Sequence, residues 1–211
     1  MSGVATDPTP VIDLLRAAVP GATIEPAPAI DMPAIAVDRD HIVDLLTALR
    51  DHPDLQFSFL VDVTAVDYLP AAPRFEVVYL LACLGPAFRT AGAATAAPLR
   101  RLRMKVRLPD DDPRIHTATG VFPGANWPER EVFDLFGISF EQHPNLSRIL
   151  TPDDWTGHPL RKDYPVQIRK DTATWSPIQL TPEEFAANVR EGQARATRQA
   201  TGGAPKPATR D

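Results

Sequence analysis

Between residues 129 and 150 the chain reads EREVFDLFGISFEQHPNLSRIL, and side chains able to do chemistry crowd its first half. Glu129, Glu131 and Asp134 could hold an acid–base pair, with His143 a short way downstream. General acid–base catalysis would need one carboxyl to be buried, shifted in pKa and placed beside a substrate pocket. The neighbouring cations Arg130, Arg148, Arg161 and Lys162 could instead neutralise the carboxylates. Carboxylate–guanidinium pairs are good at holding irregular chain in one register. A hydrolase built on Glu131, Asp134 and His143 is therefore one reading and a structural cluster is the other; the structural cluster is favoured.

Other chemistries find little footing. No G-x-G-x-x-G, G-x-x-x-x-G-K-[ST] or G-x-S-x-G string is present, so neither a dinucleotide cradle nor a nucleophile elbow is visible. The five histidines, His41, His52, His116, His143 and His158, lack zinc spacing. The single cysteine, Cys83, cannot form an internal disulfide, which fits a reducing compartment. Nor can it supply the cysteine set that ordinarily ligates an iron–sulfur cluster. It falls in a strand-like apolar run, where a small core residue is expected. A net charge of −5 argues against a nucleic-acid partner. The N-terminus lacks the basic start and apolar core of a signal peptide, and no apolar run approaches the roughly 20 residues that span a bilayer. A soluble cytoplasmic chain is expected, which could still sit on a membrane through a partner.

The elements that must position the cluster follow from periodicity. Ile12, Leu15 and Val19 predict a short helix over 8–19, ended by Pro20-Gly21. Two short strands are expected over 24–30 and 34–37, confined to edges by Pro26, Pro28 and Pro33. Ile42, Leu45, Leu46 and Leu49 mark one helical face, stopped by Pro53. Strand-like runs follow over 57–68, 74–84 and 99–108, and their short or medium links favour an antiparallel meander. The last alternates cleanly: Arg101, Arg103, Lys105 and Arg107 on one face, Leu102, Met104, Val106 and Leu108 on the other. The basic row is either a solvated face or a docking surface for an acidic neighbour. In GANWPEREVFDLFG, Asn126 as N-cap with Glu129 three residues later reads as a capping box, and Gly137 as a C-terminal stop. On that helix Arg130 and Asp134 are i, i+4 neighbours able to pair, and Phe133 and Phe136 share a stripe. The fold class is α+β, a mostly antiparallel sheet packed with helices.

After Gly137 regular periodicity ends. Residues 138–180 carry Leu150, Trp155, Leu160, Tyr164, Val166 and Trp175 on proline-rich chain. Irregular chain of this length inside a compact domain is uncommon, so an extended arm laid across another protein is expected. Three regions result: an α+β domain over 1–137, the arm over 138–180, and over 181–211 a short helix with a disordered tail.

The stretch 129–150, together with VTAVDY (63–68), GVFPGANWPEREVFDLFGI (120–138) and ILTPDDWTGHPLRKDYP (149–165), resembles the 30 kDa subunit family of the proton-pumping NADH:quinone oxidoreductase, respiratory complex I, known in bacteria as its C subunit. The likeness runs through about residues 55–166. It rests on Glu129, Arg130, Glu131, Asp134, Leu135, Phe136 and Gly137 in the helix. Further along it rests on His143, Pro144, Arg148, Trp155, His158, Arg161, Lys162, Asp163 and Tyr164, and it implies that these residues form a signature and partner interface. It also implies a peripheral-arm subunit on the cytoplasmic side of the membrane, with no catalytic residue, flavin, cluster, metal or quinone site of its own. Its partners would be the neighbouring D subunit and the cluster-bearing subunits. The whole complex would be a translocase passing electrons from NADH through FMN and iron–sulfur clusters to quinone, coupled to proton export. An equivalent assembly subunit of a related membrane-bound hydrogenase or other quinone-reducing complex is the alternative.

Overall fold

The computed structural model describes residues 7–83, 100–165 and Ala187. The linker over 85–98, Val166, Trp175, most of the helix expected over 181–198 and the tail lie outside the described residues. Helix α1 (Thr9–Ala18) buries Ile12 and Leu15. Helix α2 (Ile42–Asp51) buries Ile42, Leu45, Leu46 and Leu49, the stripe that a 3.6-residue period puts on one face. Between them lie β1 (Ile24–Pro26) and β2 (Ala34–Val37). Strands β3 (Phe59–Asp67), β4 (Phe75–Cys83) and β5 (Arg100–Leu108) follow.

These five strands form one sheet in the order β1-β2-β5-β4-β3. The expected meander is its β3-β4-β5 half, antiparallel throughout. The other half differs from expectation. Strand β2 is interior, antiparallel to β1 but parallel to β5, so the sheet is mixed. Prolines do not confine β2 to an edge because none lies within it. Pro33 precedes the strand, and its carbonyl accepts the Arg103 N–H. A parallel neighbour needs a crossover, supplied here by α2, β3 and β4.

The helices bury their apolar stripes in a single core with Phe75, Val77, Tyr79 and Leu81 of β4 and Leu102, Met104, Val106 and Leu108 of β5. Cys83 is buried at the end of β4, as its sequence position suggests. The opposite face of β5 carries the basic row, and three of its four cations are answered within the chain. Lys105 and Arg107 lie 3.6 and 3.5 Å from Glu76, and Arg103 lies 3.3 Å from Asp31.

Strand β6 (Arg114–His116) leads through a 3-10 turn at Pro123–Ala125 into α3 (Asn126–Phe136). Gly137, at φ 72°, ends that helix, its N–H bonded to the Phe133 carbonyl. The chain then returns as β7 (Ser139–Glu141), parallel to β6. Chain past Gly137 packs with the elements before it, since Ile138 and Phe140 belong to the same core as the sheet.

The two faces of β5 differ enough to test by truncation. Met104→Ala should cost about 3 kcal/mol by urea unfolding, because it opens a cavity in the core. Exposed Arg101→Ala should stay within about 0.5 kcal/mol. Equal effects would mean that the faces are wrongly assigned.

Candidate functional site

Helix α3 presents two carboxylates inward, each fully buried. An ionised carboxylate out of water must be matched by donors, or it takes up a proton instead. The two residues take opposite routes.

Asp134 is saturated. One oxygen accepts the Arg148 guanidinium at 2.7 Å and the Thr151 hydroxyl; the other accepts the backbone N–H groups of Ile149, Leu150 and Thr151 at 2.8–3.1 Å. Burial pushes its pKa up, but the bonds from Thr151, Leu150 and Arg148 outweigh burial and hold the carboxyl well below the usual range. The expected Arg130–Asp134 pair does not form, because Asp134 turns inward while Arg130 reaches outward to the carbonyls of Ser147 and Arg148, each at 3.0 Å.

The last carbonyls of α3 complete the same contact. A helix leaves its final four C=O groups without intrahelical partners. Here His158 Nδ1 donates to Asp134 O at 2.9 Å, the Leu160 N–H to Leu135 O at 3.0 Å, and Arg161 to the carbonyls of Phe136 and Gly137. Gly137 makes this approach possible: a Cβ there would sit 2.5 Å from the His158 ring and 2.7 Å from Arg161. Residues 147–161 thus act as a tertiary C-cap for α3.

Glu129 lacks such company. It accepts bonds from the Thr117 hydroxyl and the Ala118 N–H, at 2.5 and 2.7 Å. His143 lies close, its Nε2 3.8 Å from the carboxylate, but both ring nitrogens are otherwise engaged. Nδ1 accepts the Asn145 N–H and Nε2 donates to Asn126 O, both at 3.1 Å. Burial therefore pushes the Glu129 carboxyl up to about 7. The capping box is corrected with it. Asn126 already lies inside the helix at φ −49°, the 3-10 turn runs straight into α3 with Ala125 as N-cap, and Glu129 faces the core.

A second clip, not read from the sequence, fixes the far end of the irregular segment. Arg74, 5% exposed, holds Asp67 in a bidentate pair at 2.8–3.0 Å and also meets Asp163 at 2.7 Å and Asp110 at 3.0 Å. Arg74 holds the Asp67 carboxyl well below its ordinary range. Asp67 also accepts the Lys162 N–H, and the Lys162 ammonium reaches Leu69 O. Arg74 and Arg161 lie 4.8 and 5.0 Å from the Phe75 ring centroid. The signals for this clip were Asp67 in VTAVDY and Asp163 in RKDYP; their common partner, 89 residues from Asp163, left no local trace.

The expected residues therefore separate. Asp134, Leu135, Phe136, Gly137, Arg148, His158 and Arg161 meet at the end of α3, and Lys162 and Asp163 at the Arg74 clip. Tyr164 folds back, its hydroxyl donating to Thr156 O at 3.3 Å. Glu131, Pro144 and Trp155 face outward. Glu131, Asp134 and His143 do not converge, which removes the geometry the hydrolase reading needs. Among the described residues no group of three or more His, Cys, Asp or Glu could hold a metal ion, and no helix is long and apolar enough to cross a membrane.

The model of the family described as respiratory-chain NADH dehydrogenase, 30 Kd subunit, matches residues 35–170, from β2 through the whole of both clips. The chain belongs to this family. Within the 30 kDa subunit family, the NADH-quinone oxidoreductase C subunit of Roseiflexus sp. (strain RS-1) is 44% identical over 173 residues, 82% of this chain and 92% of that one. The same subunit of Citrifermentans bemidjiense is 48% identical over 134 residues, 63% of this chain and 74% of its own. A chain of the membrane-bound sulfane sulfur reductase, an archaeal respiratory membrane complex, shares the fold, with a TM-score of 0.60 at 22% identity over 82% of this chain and 94% of that one.

Two titrations follow for this member of the 30 kDa subunit family. Asp134→Asn should cost about 3 kcal/mol, since it leaves Arg148 and three amides without a charged acceptor. The stability Asp134 contributes is fully present above about pH 4 and lost as pH falls toward its depressed folded value, so the variant should also unfold with a shallower acid dependence. Glu129 works in reverse: from about pH 4.3 to about 7 the unfolded chain ionises first, and stability falls as pH rises. Glu129→Gln should remove that slope. A wild-type slope unchanged in this variant would place the titration elsewhere.

Proposed function

We propose that this chain is a non-catalytic peripheral-arm subunit of NADH:quinone oxidoreductase, respiratory complex I, held on the cytoplasmic side of the membrane by its partners. The observation that carries the reading is how the signature is spent. Asp134, Arg130, Arg148, His158 and Arg161 all bind chain, not a substrate-sized space. A carboxylate already accepting five donors has no free lone pair with which to take a substrate proton, and so it cannot serve as a general base. Family membership and relatives at 44–48% identity, named for NADH-quinone oxidoreductase, supply the reaction of the assembly.

In this reading FMN and the iron–sulfur clusters sit in partner subunits, which carry electrons from NADH to quinone with coupled proton export. The chain's own residues do not fit a cluster: its one cysteine, Cys83, is buried at the end of β4. Its contribution is positional, a rigid body packed against the D subunit and the cluster-bearing subunits. A chain of the membrane-bound sulfane sulfur reductase also shares the fold, but the relatives favour NADH:quinone oxidoreductase.

A tagged copy recovered from gently solubilised membranes tests this. Co-recovery of flavin- and cluster-bearing subunits with NADH:quinone activity is expected. Recovery with hydrogenase subunits instead would move the same role to another complex, and stoichiometric iron or flavin in the clean isolated chain would contradict a cofactor-free role.

A further inference from the structure

The two clips leave an outward surface with a definite chemical character. Between them the chain passes through a turn in which the Trp155 N–H bonds to Pro152 O. Three large apolar side chains are left in water on this stretch: Leu150 is 62% exposed, Leu160 52% and Trp155 37%. Large apolar side chains left exposed so close together along one fixed segment mark an interaction site more often than an accident of folding.

The surrounding charge is one-sided. The basic residues nearby are already engaged within the chain: Arg148 by Asp134, Arg130 and Arg161 by backbone carbonyls, and the Lys162 ammonium by Leu69 O. Outward stand Asp153 and Asp154, preceding Trp155, and Glu131, one helical turn before the Leu135 whose carbonyl receives Leu160. None of these three has an ion pair among the described residues.

We propose that Leu150, Trp155 and Leu160, rimmed by Asp153, Asp154 and Glu131, form a preorganised dock for a partner subunit whose complementary surface is an apolar socket with a lysine- and arginine-rich rim. The inference rests on the subunit reading above and specifies the chemistry of the partner. An apolar centre with a charged rim is the usual anatomy of a protein interface, and a rim of one sign sets partner choice and association rate. The same acidic rim disfavours a lipid surface, which carries negative charge. Preorganisation matters because the N–H groups of 149–151 are already fixed on Asp134, so the segment loses little further freedom on binding.

The test compares full-length tagged chains expressed in cells that assemble the complex, scoring the fraction recovered with NADH:quinone activity from solubilised membranes at low and moderate salt. Trp155→Ala should lower recovery about tenfold, in line with aromatic anchors at interface centres. Asp153→Lys/Asp154→Lys should lower it severalfold. The neutral Asp153→Asn/Asp154→Asn should fall between, with a weaker salt dependence than the wild type. All these positions are exposed, so melting temperatures should stay close to wild type, which separates lost docking from lost folding. Wild-type recovery with equal recovery of folded Trp155→Ala and of both charge variants overturns this inference alone. A wild-type chain found only free in the soluble fraction overturns the subunit reading, and this one with it.

Discussion

A single buried carboxylate organises the C-terminal half of this domain. Asp134 sits on the last turn of α3, fully removed from water, and its charge is tolerable only because Arg148, Thr151 and three successive amides converge on it. Those donors come from a segment with no helix or strand of its own. Irregular backbone is costly to order unless its polar groups find partners, and a carboxylate is among the few side chains that can accept from several at once. The dependence is mutual: the segment neutralises the helix, and the helix gives the segment one conformation.

The end of α3 extends the same logic. Its terminal carbonyls point along the helix axis with no intrahelical donors, and at that end the helix dipole favours positive charge. His158, the Leu160 amide and Arg161 fill those positions, across a glycine whose missing side chain is where His158 and Arg161 pack. Arg74 then repeats the carboxylate–guanidinium device at the end of the sheet, gathering Asp67, Asp110 and Asp163 around one nearly buried guanidinium. Burying such charges adds little net stability even when they are paired, but loss of one member leaves the others unpaired at a large cost. Such a network suits a subunit that must present a fixed surface better than one that must turn over a substrate.

Much of the framework was legible from residue order, and the failures share a cause. The alternation of Leu102, Met104, Val106 and Leu108 with basic residues placed β5, the leucine stripe placed α2, and Gly137 marked the end of α3. All three depend on neighbours within a few residues. The errors came where a local pairing lost to a distant one. Asn126 and Glu129 have capping-box spacing, but Thr117 and Ala118 claim the Glu129 carboxylate. Arg130 and Asp134 have ion-pair spacing, but Arg148 and the amides of 149–151 outcompete a single outward-reaching cation. The parallel placement of β2 beside β5 leaves no local signal, since it depends on how α2 and two strands cross over. The irregular arm does need a surface to lie on, and that surface includes its own domain.

The central claim is that Asp134 orders the 147–164 segment within the chain itself. Amide hydrogen exchange on the purified full-length chain, compared with Asp134→Asn, measures this directly. Protection is predicted at residues 149–151, 160 and 162 in the wild type. In the variant that protection should be lost at 149–151, with β4 and β5 still protected. Rapid exchange across 149–162 in the wild type, or protection there that Asp134→Asn leaves unchanged, would contradict the claim.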